Sequence, residues 1–296
     1  MVEFTLSVAK TSIAVTLEQS LEEIGADLKK LYTGFLSNHR KTDAYLRVSL
    51  DNFTTYCESK DEPIRLPEKG NPESAEIAGK IGKIYNLSDN SLIAGYKNGC
   101  LAYNRFSNKG HLLIFKSENY GFSVASVYKF LFLYISLILA EQKKLLIHGV
   151  GIKKKNRGYL FLGESGAGKT TIAGFTERDA IFSDDSPVIG REDNLFYIYP
   201  SPYSQVDMFE PKRDDHYLKK AELIKLFFLK KNDKLFVKPR DRKTALAEII
   251  KKHIHSFEFI GSKSRIAAFD LCYDLCNSIP IYDLHFQKND KFRNII

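Results

Sequence analysis

"YLFLGESGAGKTTIAGF", Tyr159 to Phe175, sets an apolar run against a glycine-rich turn and a helix-like tail. Inside it, Gly163-Glu164-Ser165-Gly166-Ala167-Gly168-Lys169-Thr170 fits G-x-x-x-x-G-K-[ST] at every position, and Thr171 follows. The glycines let the backbone bend so that successive N–H groups converge on phosphate oxygens. A helix opening at Lys169 adds the positive end of its dipole. The spacing aims the Lys169 ammonium at the β- and γ-phosphates of a nucleotide and the Thr170 hydroxyl at Mg²⁺. Strand, loop and helix occur in that order, which separates this motif from a chance glycine turn.

A second stretch, "IFSDDSPVI" from Ile181 to Ile189, follows closely and carries Asp184 and Asp185. Neighbouring side chains on a strand face opposite sides, so the pair would divide its work. One carboxylate can face the metal and the other an acceptor hydroxyl, or a turn can let both bracket a transferred group. The competing reading is a solvated strand end turned by Pro187. His148, in "LLIHGVGI", falls on the strand expected just before the loop's own strand. There it is either a satisfied core histidine or a group beside the metal or acceptor.

Outward from these motifs, residues 119–296 read as one catalytic unit. A buried helix runs from about Phe122 to Gln142, and "KLLIHGVGI" and "YLFLG" form a hairpin. A short helix spans Lys169 to about Glu177. "LFYIYPSPY", "LIKLFFL", "KLFVKP" and "IPIYDLHF" are strand-like, and "RKTALAEIIKKHIHSF" and "SKSRIAAFDLCYDL" helical. Arg240 and Arg242 in "KPRDRKT" read as surface arginines, with a phosphate contact as the alternative. Residues 1–118 read as a smaller α+β region that supports the core or contacts a partner. Its strands are "EFTLSV", "SIAVTL", "AYLRVSL", "SLIAGYKNGCLAYNRFS" (turning at Asn98-Gly99) and "HLLIFK". A helix stripe joins Leu17, Leu21, Ile24, Leu28, Leu31 and Phe35, and "KDEPIRLPEKGNPES" is a connector.

Composition narrows the classes. Of 296 residues 44% are hydrophobic and 27% charged, ordinary for a globular chain. The net charge of +8 is spread over short lysine runs with no basic-aromatic module or zinc-finger spacing, so no nucleic-acid partner is expected. Cys272 and Cys276 share one helix face as core residues, and no disulfide framework emerges with Cys57 and Cys100. "FLFLYISLILA" is shorter than the ~20 residues a spanning helix needs, so no membrane span is expected. These features point to a reduced, cytoplasmic setting. A homo-oligomer is left open.

Together, "LLIHGVGI", "YLFLGESGAGKTTIA" and "FSDDSPVI" resemble the C-terminal domain of HPr kinase/phosphorylase and the HPr-kinase-related proteins; "LFYIYPSPY" and "IPIYDLHF" add to the likeness. The resemblance implies an α/β, phosphoenolpyruvate carboxykinase-like P-loop core: a mixed sheet with flanking helices. It implies an ATP- and Mg²⁺-dependent kinase acting on a serine-like hydroxyl of a protein, peptide or small molecule. Lys169 and Thr170 match the phosphate- and Mg²⁺-binding pair, Asp184 the carboxylate that deprotonates the acceptor, and Asp185 a metal-side carboxylate. His148 matches the histidine near the acceptor phosphate. Two alternatives stand beside it: a nucleotide-binding regulatory module without transfer, and carboxykinase chemistry on a small acid.

Overall fold

The computed structural model describes residues 1–38, 41–51, 73–77, 80–88, 90–96, 99–115, 120–203 and 219–296. Cys57, nearly all of the 60–74 connector and Asn98 of the Asn98-Gly99 turn lie outside the described residues. Among the described residues the protein is mixed α/β, with two nine-stranded mixed sheets.

The first sheet draws on β1 (Val2–Val8), β2 (Thr11–Leu17), β3 (Leu36–Ser37), β4 (Ala44–Asp51), β5 (Glu73–Ile77), β6 (Lys80–Ser88), β7 (Ser91–Tyr96), β8 (Gly99–Asn104) and β9 (Lys109–Phe115). Their order is β3-β1-β2-β4-β9-β8-β7-β6-β5, with β4 parallel to both neighbours. β1 and β2 close through Ala9 and Lys10, both at positive φ, as a two-residue hairpin turn needs. Helix α1 (Glu22–Leu31) buries Ile24 and Leu28. The predicted stripe is longer than this helix: Leu17 belongs to β2 and Phe35 to a separate 3₁₀ turn.

Helix α2 (Tyr120–Glu141) packs against β8 and β9, against α1, and against elements beyond residue 141. Its Val124–Glu141 stretch is apolar and long enough to cross a membrane, yet 72% of it is buried inside the protein. A helix that is hydrophobic all round suits such a core position. One buried cluster runs from Leu6 through α2 to Ile281, so the sheets share an interior.

The second sheet is built from β10 (Lys144–Leu146), β11 (Val150–Lys154), β12 (Arg157–Leu162), β13 (Ile181–Ser183), β14 (Val188–Glu192), β15 (Leu195–Tyr199), β16 (Ala221–Lys231), β17 (Phe236–Pro239) and β18 (Ile281–Phe286). The path is β10-β14-β15-β16-β12-β11-β13, with β18 and β17 branching from β16. β12, β16 and β18 run parallel. Helices α3 (Lys169–Gly174), α4 (Arg242–Glu248) and α5 (Ser262–Ser278) complete the unit. α5 buries Cys272 and Cys276 among apolar neighbours, as their spacing suggests.

Three expectations need correction. The strand expected to carry His148 is two strands: β10 pairs with β14, β11 with β12 and β13, and His148 lies in the break. The strand expected to carry both aspartates ends at Ser183, so Asp184 and Asp185 occupy the turn after it. The helix expected through Phe257 stops early: α4 passes into a π-helical turn, Ile249–His253, and Ile254 then bridges to Ile147.

Candidate active site

Sheet register brings the motifs to one edge. β12 delivers the glycine-rich loop at its C-terminal end. β11 runs antiparallel, pairing Val150 with Phe161, so His148 just before it lies at the same edge. β13 is antiparallel to β11 and pairs Ser183 with Gly151, which returns Asp184 and Asp185 to that edge.

The loop residues Gly163–Gly168 have the backbone of a cradle. Gly166 and Gly168 sit at φ +76° and +120°, where a side chain is strained, and a Cβ at Gly168 would lie 2.6 Å from Cζ of the buried Phe286. A cavity of about 300 Å³ opens over Gly163, Glu164, Ser165, Gly166 and Ala167, with Lys230, Lys231 and Glu248 at its walls. Lys169 Nζ donates to the carbonyls of Gly163 (2.7 Å) and Glu164 (3.3 Å), folding the ammonium back over the loop. Burial lowers the Lys169 pKa, and the charge of Asp185 works against that shift. Glu164 points outward to Lys252, 2.5 Å away. Thr170 is exposed on the first turn of α3 and Thr171 half-buried. Glycines at positive φ and a cavity over the loop walled by Lys230 and Lys231 are features that suit a polyphosphate.

The aspartate turn is held from several sides. Ser183 Oγ donates to the Tyr203 carbonyl (2.6 Å) and accepts from the amides of Asp185 (3.2 Å) and Ser186 (2.8 Å). The Asp185 carbonyl accepts from the Gly149 amide at 2.8 Å, tying the turn to the His148 segment. Asp184 is buried, an unusual setting for an unengaged strand end. Asp185 is partly buried; its Oδ1 lies 3.4 Å from His148 Nδ1, and its Oδ2 accepts from Ser186 Oγ at 2.7 Å. Burial opposes ionisation of Asp185, but hydrogen bonds from His148 and Ser186, with the charges of His148 and His255, outweigh it and hold the carboxyl below its ordinary range. Burial pushes the Tyr128 hydroxyl well above its ordinary value, and the charges of Asp185 and Asp184 push the same way.

Two histidines complete the site that the motifs alone do not reveal. The His148 amide donates to the His253 carbonyl (2.6 Å), and His253 Nδ1 lies 3.0 Å from the His148 carbonyl, so these segments clasp each other. The two rings stack with centroids 6.5 Å apart. His255 Nε2 lies 3.0 Å from Ser186 Oγ, and Phe132 meets the His255 ring edge-on at 4.9 Å. His148, Asp185 and His255 each offer one ligand atom within 4.8 Å of the others. Carboxylate and imidazole donors are of the kind that a divalent cation takes. The signal in the sequence was "HIH" at 253–255, hidden inside what reads as an amphipathic helix.

Arg240 is not a surface residue. Its side chain is 8% exposed, donates to Asp283 (2.5 Å) and Glu248, and lies 3.9 Å over the Phe228 ring. Two carboxylates engage its two terminal nitrogens, so it braces the wall behind the loop. Arg242, at the exposed start of α4, reaches Asn277 at 3.5 Å.

Compared with protein families and with curated proteins, the chain matches no family model and no curated sequence.

Proposed function

We propose that the protein is an ATP- and Mg²⁺-dependent phosphotransferase that phosphorylates a serine-like hydroxyl on a protein, peptide or small molecule. A phosphoenolpyruvate carboxykinase-like core, with residues 119–296 as the catalytic unit, belongs to the same proposal. The observation that carries it is the meeting of the phosphate loop, the Asp184–Asp185 turn and His148 at one sheet edge. A nucleotide-binding regulator needs the loop; it has no need of a buried aspartate turn pinned beside it.

The roles follow from the chemistry of each group. The amides of Gly163–Gly168 and the Lys169 ammonium bind the phosphate chain, and Thr171 supports the first turn behind it. Thr170 and Asp185 would hold the cation, with His148 orienting Asp185. Bound Mg²⁺·ATP supplies the electrophilic phosphoryl group. Asp184, buried in the turn, takes the proton from the acceptor hydroxyl.

The test is incubation with γ-labelled ATP and a cell lysate split into protein and small-molecule pools. Label should enter one pool with wild type, and Asp184→Asn should lose transfer by about 10²-fold or more while still binding nucleotide. Undiminished transfer by Asp184→Asn removes it as base. Tight nucleotide binding with no labelled acceptor favours the regulatory module, and oxaloacetate-dependent turnover favours carboxykinase chemistry.

A further inference from the structure

A continuous polar chain runs away from the phosphate loop through four side chains: His148 Nδ1, 3.4 Å from Asp185 Oδ1; Asp185 Oδ2, 2.7 Å from Ser186 Oγ; and Ser186 Oγ, 3.0 Å from His255 Nε2. Hydrogen-bond directions along it are fixed by elimination. An ionised Asp185 can only accept, so Ser186 gives its single hydroxyl proton to Oδ2. The Ser186 oxygen can then only accept from His255, whose proton must stand on Nε2. The ring is packed edge-on against Phe132 and roofed by His148 at 5.5 Å, so it has little room to turn over. The backbone supports this placement: the His255 amide donates to the Leu146 carbonyl at 3.1 Å, which locks the segment after the π-helical turn to the strand leading into His148.

We infer that His255 is a positioning residue: its Nε2–H orients the Ser186 hydroxyl, which occupies Asp185 Oδ2 and leaves Oδ1 for His148 and a cation. This rests on the reading of Asp185 as the metal-side carboxylate. A hydroxyl held on Oδ2 fixes the orientation of the carboxylate and leaves its other oxygen available.

Two measurements test this. In ¹⁵N-histidine-labelled protein at pH 7, long-range ¹H–¹⁵N spectra should show a proton on His255 Nε2; an Nδ1–H tautomer with Nε2 bare overturns the inference. This needs no nucleotide. In the second, Mn²⁺ affinity is read by electron paramagnetic resonance with a non-hydrolysable ATP analogue. His255→Gln, whose amide N–H can donate from nearly the same place, should stay within about twofold of wild type. His255→Leu and Ser186→Ala should each weaken Mn²⁺ binding by about tenfold, a typical loss for an outer-shell partner. Wild-type Mn²⁺ affinity in a folded His255→Leu, or an equal loss in His255→Gln, overturns the positioning role. Wild-type protein that binds no nucleotide overturns the proposed function instead, and the tautomer then decides the hydrogen-bond chain on its own.

Discussion

Replacing Gly168 by alanine attacks the glycine-rich loop where it enters α3. Gly168 has φ +120°, and a Cβ there meets Phe286 Cζ at 2.6 Å and Cε1 at 3.2 Å. Placing an L-residue at positive φ costs about 1–2 kcal/mol. Phe286 is 1% exposed and packs with Phe292 in the smaller core cluster, so its ring cannot step aside freely. Overpacking at such a contact costs about 1–3 kcal/mol. The sum, about 3 kcal/mol, shifts the folding equilibrium by more than a hundredfold. If the loop yields in place of the core, the proposed function requires the cost to appear as lost nucleotide affinity. Gly174→Ala is the control: α3 ends there, nothing lies within 4 Å of the added methyl, and its φ is not positive. That variant should match wild type or gain up to about 1 kcal/mol. Urea unfolding and nucleotide titration on both variants suffice. A Gly168→Ala protein with unchanged midpoint and unchanged affinity would refute the cradle geometry.

Other consequences can be measured directly. Arg240→Ala leaves Glu248 and Asp283 without their shared cation and should cost about 3–5 kcal/mol by urea unfolding, with Arg240→Lys intermediate because it cannot fork between them. Burial lowers the His253 pKa from 6.5 to about 4, so the unfolded chain binds the extra proton first. Stability should therefore fall as pH drops from about 6.5 to about 4, and His253→Gln should flatten part of that slope in unfolding midpoints taken across the range. At Glu192, burial raises the pKa, but hydrogen bonds from Lys10, Lys220 and Tyr199 outweigh it and hold it at about 2. Its contribution is complete above the ordinary value of 4.5 and is lost as pH falls through about 2. Allowing for solvent screening, Glu192→Gln should cost about 1 kcal/mol at pH 7, shrinking toward zero in acid.

The glycine-rich strand-to-helix turn was legible because its signal is local: glycine spacing, lysine and the strand before it lie in one stretch of chain. The same holds for the paired cysteines of α5 and the apolar α2. His255 was not legible, because its importance depends on a π-helical turn that only packing reveals. Nor could the sequence show that β10 and β11 are separate strands with His148 between them, since an apolar run looks continuous whichever partners it finds. Arg240 illustrates the same limit. A charged residue in "KPRDRKT" looks solvated until Asp283, 43 positions away, is brought beside it by β18.

Helix α2 has a consequence for biosynthesis. The first sheet is complete in strands by Phe115, yet the helix that covers β8 and β9 lies later in the chain, and that helix also packs on β10 and α5. A nascent chain therefore carries an apolar sheet face, with parallel pairings that form slowly, before its cover has been synthesised. Once α2 emerges, its remaining surface waits in turn for the second sheet. Translation exposes the same helix twice, first as a missing lid and then as an unburied one, and both intervals are openings for chaperones or for aggregation.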